Sequence, residues 1–269
     1  MSSVVGVLGC GWLGLPLARA LIKEGLVVHG STTSSEKLEL LKNEGIVPTR
    51  IVLGETEIEG AIDAFLAPLN ILILNVPPKL RRANTENYVQ KIKLLLSHIK
   101  DSNIRQIVFI SSTSVYGDVQ GEVTEDTPPK PTSRSGIQLL QTEQLLKNED
   151  SLETTIIRFG GLIGPQRHPI TFLSGRTELK NGEYHINLIH LNDCIGMVLF
   201  ILENNYWNET FNGVYPDHPL KADYYIKEAQ KRGLPPPKYV ANKSENRGKQ
   251  IKSRNILNKK YCFSTPLTD

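Results

Sequence analysis

The sequence predicts an α/β protein: a doubly wound parallel sheet with a small discontinuous lobe towards its C-terminal end. Three observations carry this. Short β-branched runs alternate with amphipathic stretches as far as Gly164, the pattern of βαβ units whose strands are buried on both faces. The first of these runs passes directly into a glycine-rich turn that opens an amphipathic stretch. Beyond Gly164 the alternation loosens, and Pro235-Pro236-Pro237 interrupts the remainder.

In chain order, the period-2 and all-apolar runs predict strands over Ser3–Leu8, Leu26–Ser31, Val47–Leu53, Asn70–Val76, Arg105–Ser111 and Thr154–Arg158. Helical periodicity falls between them, over Leu13–Glu24, Ser35–Asn43, Glu57–Leu66, Asn84–Lys100 and Ser135–Lys147. Gly25 and Gly45 stand where the first two helices should end, because glycine adopts the left-handed cap conformation without a Cβ clash. Thr33-Ser34-Ser35-Glu36 fits a capping box for the second helix. Pro77-Pro78 and the proline-rich run from Thr127 to Pro131 mark loops. Asn192–Glu203 reads as a helix of the main domain and Lys221–Lys231 as one of the lobe. The expected division is therefore 1–164 with 186–206 as the main domain, and 165–185 with 207–269 as the substrate lobe.

Composition narrows the class of protein. Of 269 residues 39% are hydrophobic and 22% charged, proportions that exclude collagen-like, disordered and coiled-coil chains. No apolar run approaches the roughly 18 residues needed to cross a bilayer. The opening Met1 to Leu8 has no basic segment before its apolar residues, and a cytoplasmic protein without membrane partners is expected. Cys10, Cys194 and Cys262 are odd in number and far apart, giving neither a disulfide framework nor metal-ligand spacing, so no metal is expected. Lys221 to Asp269 holds 12 basic and 4 acidic residues, against 19 and 24 elsewhere. Aromatic interleaving in that tail is sparse, and we read it as a solvated basic face rather than a nucleic-acid surface.

Gly9-Cys10-Gly11-Trp12-Leu13-Gly14 is a G-x-G-x-x-G turn between a strand and a helix, the setting in which it makes a Rossmann-like dinucleotide site. Gly9 permits the tight turn, Gly11 lets the amides of the loop, including those of Trp12 and Leu13, approach a diphosphate, and Gly14 allows helix and strand to pack closely. The positive end of the helix dipole favours the anion. About twenty residues on, where an NAD site places a carboxylate on the ribose, the chain reads Ser31-Thr32-Thr33-Ser34-Ser35. Hydroxyls and amides there, with Lys37 as a nearby cation, favour a 2′-phosphate, so NADP(H) is expected ahead of NAD(H).

The run from Val108 to Asp118, Val-Phe-Ile-Ser-Ser-Thr-Ser-Val-Tyr-Gly-Asp, resembles the fifth-strand signature of extended short-chain dehydrogenase/reductases, the superfamily of sugar-nucleotide epimerases and dehydratases. Glu125-Asp126-Thr127-Pro128, the run Arg158 to Pro165 and Ile189-His190-Leu191-Asn192-Asp193 resemble its later motifs in the same order, so the resemblance spans nearly the whole chain. The Gly9–Ala18 opening, Asn75-Val76-Pro77-Pro78 and Arg247-Gly248-Lys249 look like its atypical YeeZ-type branch. The resemblance implies that Gly9, Gly11 and Gly14 line the diphosphate and that Ser31 to Thr33 meet the adenosine ribose. It further implies that Asn75, Val76, Pro77, Ser111 and Ser112 lie along the cofactor towards the nicotinamide, with Phe159, Gly160 and Gly161 closing over that end. Ser112 falls on the superfamily's catalytic Ser/Thr. The helices Asn84–Lys100 and Ser135–Lys147 match those through which superfamily homodimers pack.

One departure stands out. The superfamily's Tyr-x-x-x-Lys pair, in which the lysine lowers the tyrosine's pKa, aligns by way of Glu143 with Ser135 and Leu139. A Tyr-x-x-x-Lys at Tyr239–Lys243 follows three prolines and lacks the strand-to-helix setting. Tyr116 and His168 are the candidates for a displaced acid/base. Two functions stay open: an atypical NAD(P)-dependent oxidoreductase, epimerase or dehydratase, and a non-catalytic NADP(H)-binding sensor. Arg167, His168, Arg176 and the Lys249–Arg254 stretch suggest an anionic small-molecule substrate.

Overall fold

The computed structural model describes residues 4–78, 86–241 and 246–267; Met1, Ser3, Asn84, Lys243 and Asp269, on which expected boundaries fall, lie outside the described residues. Seven parallel strands form the central sheet: β1 (Val4–Leu8), β2 (Val27–Thr32), β3 (Val47–Arg50), β4 (Ile71–Leu74), β5 (Gln106–Ser112), β6 (Glu153–Phe159) and β7 (Thr210–Gly213), in the order β3-β2-β1-β4-β5-β6-β7. The order reverses between β1 and β4, and at such a switch point the loops at the carboxyl ends part and leave a crevice.

Side chains alternate across the sheet with period two, as the pleat requires. Leu8, Leu72, Leu74, Ile107, Phe109 and Ile156 lie in one core with helices α4 (Tyr88–Lys100) and α5 (Arg134–Lys147). Val5, Val7, Ile71, Ile73, Val108 and Ile157 lie in the other with α1 (Gly14–Lys23) and α7 (Leu191–Glu203). The helices α2 (Leu38–Asn43) and α3 (Ile62–Leu66) complete the N-terminal half, and α6 (Ile170–Leu173), α8 (Lys221–Lys231) and α9 (Arg254–Asn258) the C-terminal one. Among the described residues no helix is long and apolar enough to cross a membrane.

Several local expectations are corrected. The strand expected over Val47–Leu53 breaks after Arg50, where the Ile51 amide bonds the Thr32 carbonyl, and Val52–Leu53 instead pairs antiparallel with Ile58–Glu59. That hairpin consumes the first residues of the helix expected from Glu57. Gly60, at φ +102 and with its Cβ position 2.0 Å from the Arg50 carbonyl oxygen, delays the helix to Ile62. The capping box also fails to form: Ser34 caps a short 3₁₀ turn without a side-chain bond, and the Thr32 hydroxyl accepts the Ser34 amide instead. Gly25 and Gly45 do end α1 and α2 with positive φ, +82 and +77.

The lobe has its own small core of Ile163, Ile170, Ile186, Leu188, Tyr224, Tyr225, Ala229 and Leu267. Packing nevertheless crosses the expected division. Thr210–Gly213 extends the central sheet beside β6 with Phe211 fully buried, and Ile256 of α9 belongs to the core under α1 and α7. Residues 207–269 are thus shared between sheet and lobe, because a four-residue strand flanked by turns gives too short a periodic signal to be assigned.

Candidate functional site

The glycine loop sits at the switch point and is clamped from both neighbouring strands. Ser31 at the end of β2 accepts the Gly9 amide on its Oγ at 2.9 Å, and its carbonyl accepts the Cys10 amide at 2.8 Å. From the end of β4, Asn75 Nδ2 donates to the Gly9 carbonyl at 3.0 Å. Both side chains thus shape the loop. Gly9 has φ +106 and faces the Asn75 carbonyl oxygen 2.7 Å from its Cβ position; at Gly14 that position lies 2.1 Å from the Gly9 oxygen. Gly11 differs, since nothing lies within 4 Å of its Cβ position. Packing requires glycine at the first and third positions, whereas at the second it leaves the surface over the loop amides open.

No side chain caps α1 and no acidic residue occupies its first turn, so no side chain competes for the amides that open the helix. The Cys10 thiol is buried, and burial pushes its pKa up to about 12, so it fills space and stays protonated. The Trp12 ring packs on the turn after β6: Nε1 donates to the Pro165 carbonyl at 3.0 Å, and the Arg167 guanidinium lies over the indole, 4.8 Å from its centre. At the end of β2, Ser31 and Thr32 are buried, whereas Thr33, Ser35 and Lys37 are exposed.

The segment Asn75-Val76-Pro77 leaves β4 over the crevice, held by the buried Tyr88, whose hydroxyl donates to the Val76 carbonyl at 2.7 Å. The sequence offered no sign of this tyrosine's role, because its partner lies on another element. Register puts Ser111 beside Arg158 and Ser112 beside Phe159 at the ends of β5 and β6. Ser111 is buried and donates to Glu143 Oε1 at 2.6 Å, a structural bond. Ser112 is half-buried, and its Oγ accepts the Ser114 amide at 3.1 Å, which fixes the hydroxyl oxygen and leaves its proton to donate elsewhere. Phe159 is buried, and Gly160 passes beneath Asn187, whose carbonyl accepts the Gly161 amide at 2.8 Å. Lys249, expected from the sequence to help hold an anionic group, donates from Nζ to the Gly117 carbonyl at 2.6 Å, tying the tail to the turn after Ser112.

Two expected acid/base groups are corrected. Tyr116 is 0% exposed; its hydroxyl donates to Asn212 Oδ1 at 2.8 Å and accepts from Arg158 Nη1 at 3.0 Å. Burial raises its pKa against the opposing Arg158 charge, and a phenol so enclosed has no path to a substrate. His168 is buried in the lobe against α8, with Nε2 3.0 Å from the Tyr224 hydroxyl and Nδ1 accepting the Ile170 amide. Burial, then the Arg232 charge, pull its pKa down to about 4 against Glu228, so it is a neutral core histidine. On α5, Ser135 is half-buried and Leu139 only 5% exposed among the apolar residues of its core.

Comparison with known proteins agrees with this architecture. Residues 5–212 match the model of the NAD dependent epimerase/dehydratase family. The chain is 34% identical over 272 residues to Protein YeeZ of Escherichia coli (strain K12), covering 98% of this chain and 97% of that protein. Among solved structures, a UDP-glucuronic acid 4-epimerase from Bacillus cereus in complex with NAD superposes with TM-score 0.80 at 19% identity, over 99% of this chain and 93% of that one. A functionally unknown conserved protein from Silicibacter pomeroyi DSS superposes with TM-score 0.75 at 21% identity, over 96% and 92%.

Proposed function

Because the chain belongs to the NAD dependent epimerase/dehydratase family, within the extended short-chain dehydrogenase/reductases, we propose that it binds a nicotinamide dinucleotide across the carboxyl ends of β1, β2, β4 and β5. The observation that carries this reading is the open space at Gly11 between two glycines that packing requires. A loop position that packing leaves free of any need for glycine, and that is glycine nevertheless, fits the close approach of a diphosphate. When bound, the nicotinamide accepts or donates a hydride; the chain holds the group that exchanges it.

In this reading Ser112 donates its hydroxyl proton to a substrate oxygen, its own oxygen being fixed by the Ser114 amide. Thr33, Ser35 and Lys37 receive a 2′-phosphate, which favours NADP(H): they are exposed and no carboxylate stands among Ser31 to Ser35. The substrate is a sugar nucleotide or a similar anionic compound, a class supported by the structural neighbour named as a UDP-glucuronic acid 4-epimerase. Calorimetric titration with NAD, NADH, NADP and NADPH tests the cofactor; binding of none of the four overturns the proposal. Turnover is tested by incubating cofactor-loaded protein with UDP-glucose and UDP-glucuronic acid and following absorbance at 340 nm and product formation.

A second reading is favoured by Leu139, Tyr116 and His168 together. With leucine at the position expected to carry lysine, and with both substitute proton carriers buried, the chain binds the dinucleotide without turnover and acts as a sensor. Tight binding with no conversion of any sugar nucleotide supports this reading, and multiple turnovers exclude it.

A further inference from the structure

We infer that Lys249 is a specificity-determining residue: its ammonium takes a carboxylate on the sugar ring at the Ser112 end of the site, so that the chain selects a uronate over a neutral hexose. This presupposes the proposed cofactor and sugar-nucleotide site and names the group that site selects. Lys249 opens the tail strand Lys249–Ile251, which pairs parallel with Gly121–Val123. Asn187 grips that strand with both ends of its amide: Nδ2 donates to the Lys249 carbonyl at 2.9 Å, and Oδ1 accepts the Ile251 amide at 2.7 Å. The Asn187 carbonyl in turn accepts the Gly161 amide, which ties the tail to the turn after β6. From there Lys249 Nζ reaches the end of β5. It lies 2.6 Å from the Gly117 carbonyl oxygen and 3.4 Å from that of Thr113, the residue that follows Ser112.

The ammonium is half-buried, and its charge is not neutralised there. Both of its bonding partners are carbonyl oxygens, and among the described residues it forms no ion pair. Asp118 is the acidic group whose charge reaches it, but the Asp118 carboxylate accepts the Thr132 hydroxyl at 2.9 Å instead. Bracing two carbonyls requires donors, not a charge, and a neutral amide side chain would supply them without desolvating an ion. Two of the three N–H groups are spent on those carbonyls, which leaves one donor and the whole positive charge for a ligand. A sugar nucleotide carries its phosphates on the anomeric carbon, so an anion elsewhere on its ring is a carboxylate. A carboxylate oxygen received here relieves the desolvated ammonium and fixes the ring next to the Ser112 hydroxyl.

Calorimetry on wild type, Lys249→Gln and Lys249→Arg, each saturated with whichever of NADH and NADPH binds, compares UDP-glucuronic acid with UDP-glucose. Dinucleotide affinity and thermal unfolding are measured on each variant. Wild type should bind UDP-glucuronic acid roughly tenfold or more tightly than UDP-glucose. Lys249→Gln keeps donors for the two carbonyls but loses the charge, and should bring the two ligands to about the same Kd by weakening the uronate alone. Lys249→Arg should keep most of the preference, with dinucleotide affinity within about twofold and melting within about 2 °C of wild type in both variants. Equal affinity of wild type for the two ligands overturns the inference, as does binding of neither by protein that binds the dinucleotide. Equal losses of both ligands in K249Q overturn it too, since Lys249 would then only brace the turn. The wild-type preference decides the matter without any variant should K249Q fail to fold. Failure of wild type to bind any dinucleotide overturns the underlying site as well, and is seen before either sugar nucleotide is added.

Discussion

Glu143 on α5 and Arg158 on β6 form a buried ion pair, Oε2 to Nη2 at 2.6 Å, with Arg158 Nε also within 3.1 Å of Oε1. The same carboxylate accepts the Ser111 hydroxyl, and the same guanidinium donates to Tyr116, which donates to Asn212 on β7. One chain of polar contacts therefore ties α5 to three adjacent strands directly beneath Ser112. Burial disfavours the charged guanidinium, but the Glu143 carboxylate and the Tyr116 oxygen outweigh it and raise the Arg158 pKa.

Removing one partner should be far more harmful than removing both. Glu143→Ala leaves a buried guanidinium unpaired and is expected to cost about 3–5 kcal/mol in chemical denaturation, whereas Glu143→Leu with Arg158→Met should cost markedly less. Equal losses for the single and double variants would show that packing, not charge, holds this junction.

Asp193 anchors the tail in the same manner. Fully buried at the start of α7, it accepts the Ser264 amide and hydroxyl on Oδ1 and the Thr265 amide on Oδ2. Asp193→Ala should cost about 1.5–3 kcal/mol and release the chain after Tyr261 to limited proteolysis, with cleavage sites mapped by mass spectrometry. Unchanged proteolysis would count against this anchoring role.

The sheet was legible because most of its first six strands are rich in β-branched and apolar residues, and the glycine loop because its spacing states its geometry. What sequence could not supply was long-range polar pairing. Tyr116 and His168 look reactive in sequence, and only the arrival of Asn212, 96 residues on, and Tyr224, 56 residues on, turns them into core side chains. Asn75 and Ser31 fall where a ligand contact is expected, yet their side chains shape the loop itself. Short elements such as Thr210–Gly213 were missed because tertiary pairing, not local periodicity, makes them strands.

Acid should weaken the lobe. Burial lowers the pKa of His168 and of His218 from 6.5 to about 4. The unfolded chain then takes up each proton first, so both histidines contribute fully above pH 6.5 and that contribution is lost as pH falls towards 4. Denaturation at pH 7 and pH 5 should show a loss of roughly 2 kcal/mol for each of the two histidines, and His168→Gln should lose about half as much as wild type, since glutamine does not titrate. A variant with the same pH slope as wild type would contradict the assignment.

The three glycines of the loop should separate stability from binding. At Gly14 a methyl group would sit 2.1 Å from the Gly9 carbonyl oxygen, a backbone atom that cannot yield without moving β1 against α1. Gly14→Ala is expected to cost roughly 1–3 kcal/mol of stability. At Gly11 the methyl meets nothing within 4 Å, so Gly11→Ala should melt within about 2 °C of wild type. The same methyl would occupy the open space in which a diphosphate is proposed to approach, and the Kd for NADH should rise by about tenfold, ~1.4 kcal/mol. Calorimetry and thermal unfolding on the two variants decide the matter: if Gly11→Ala binds NADH as tightly as wild type, a ligand does not approach the loop from its open side.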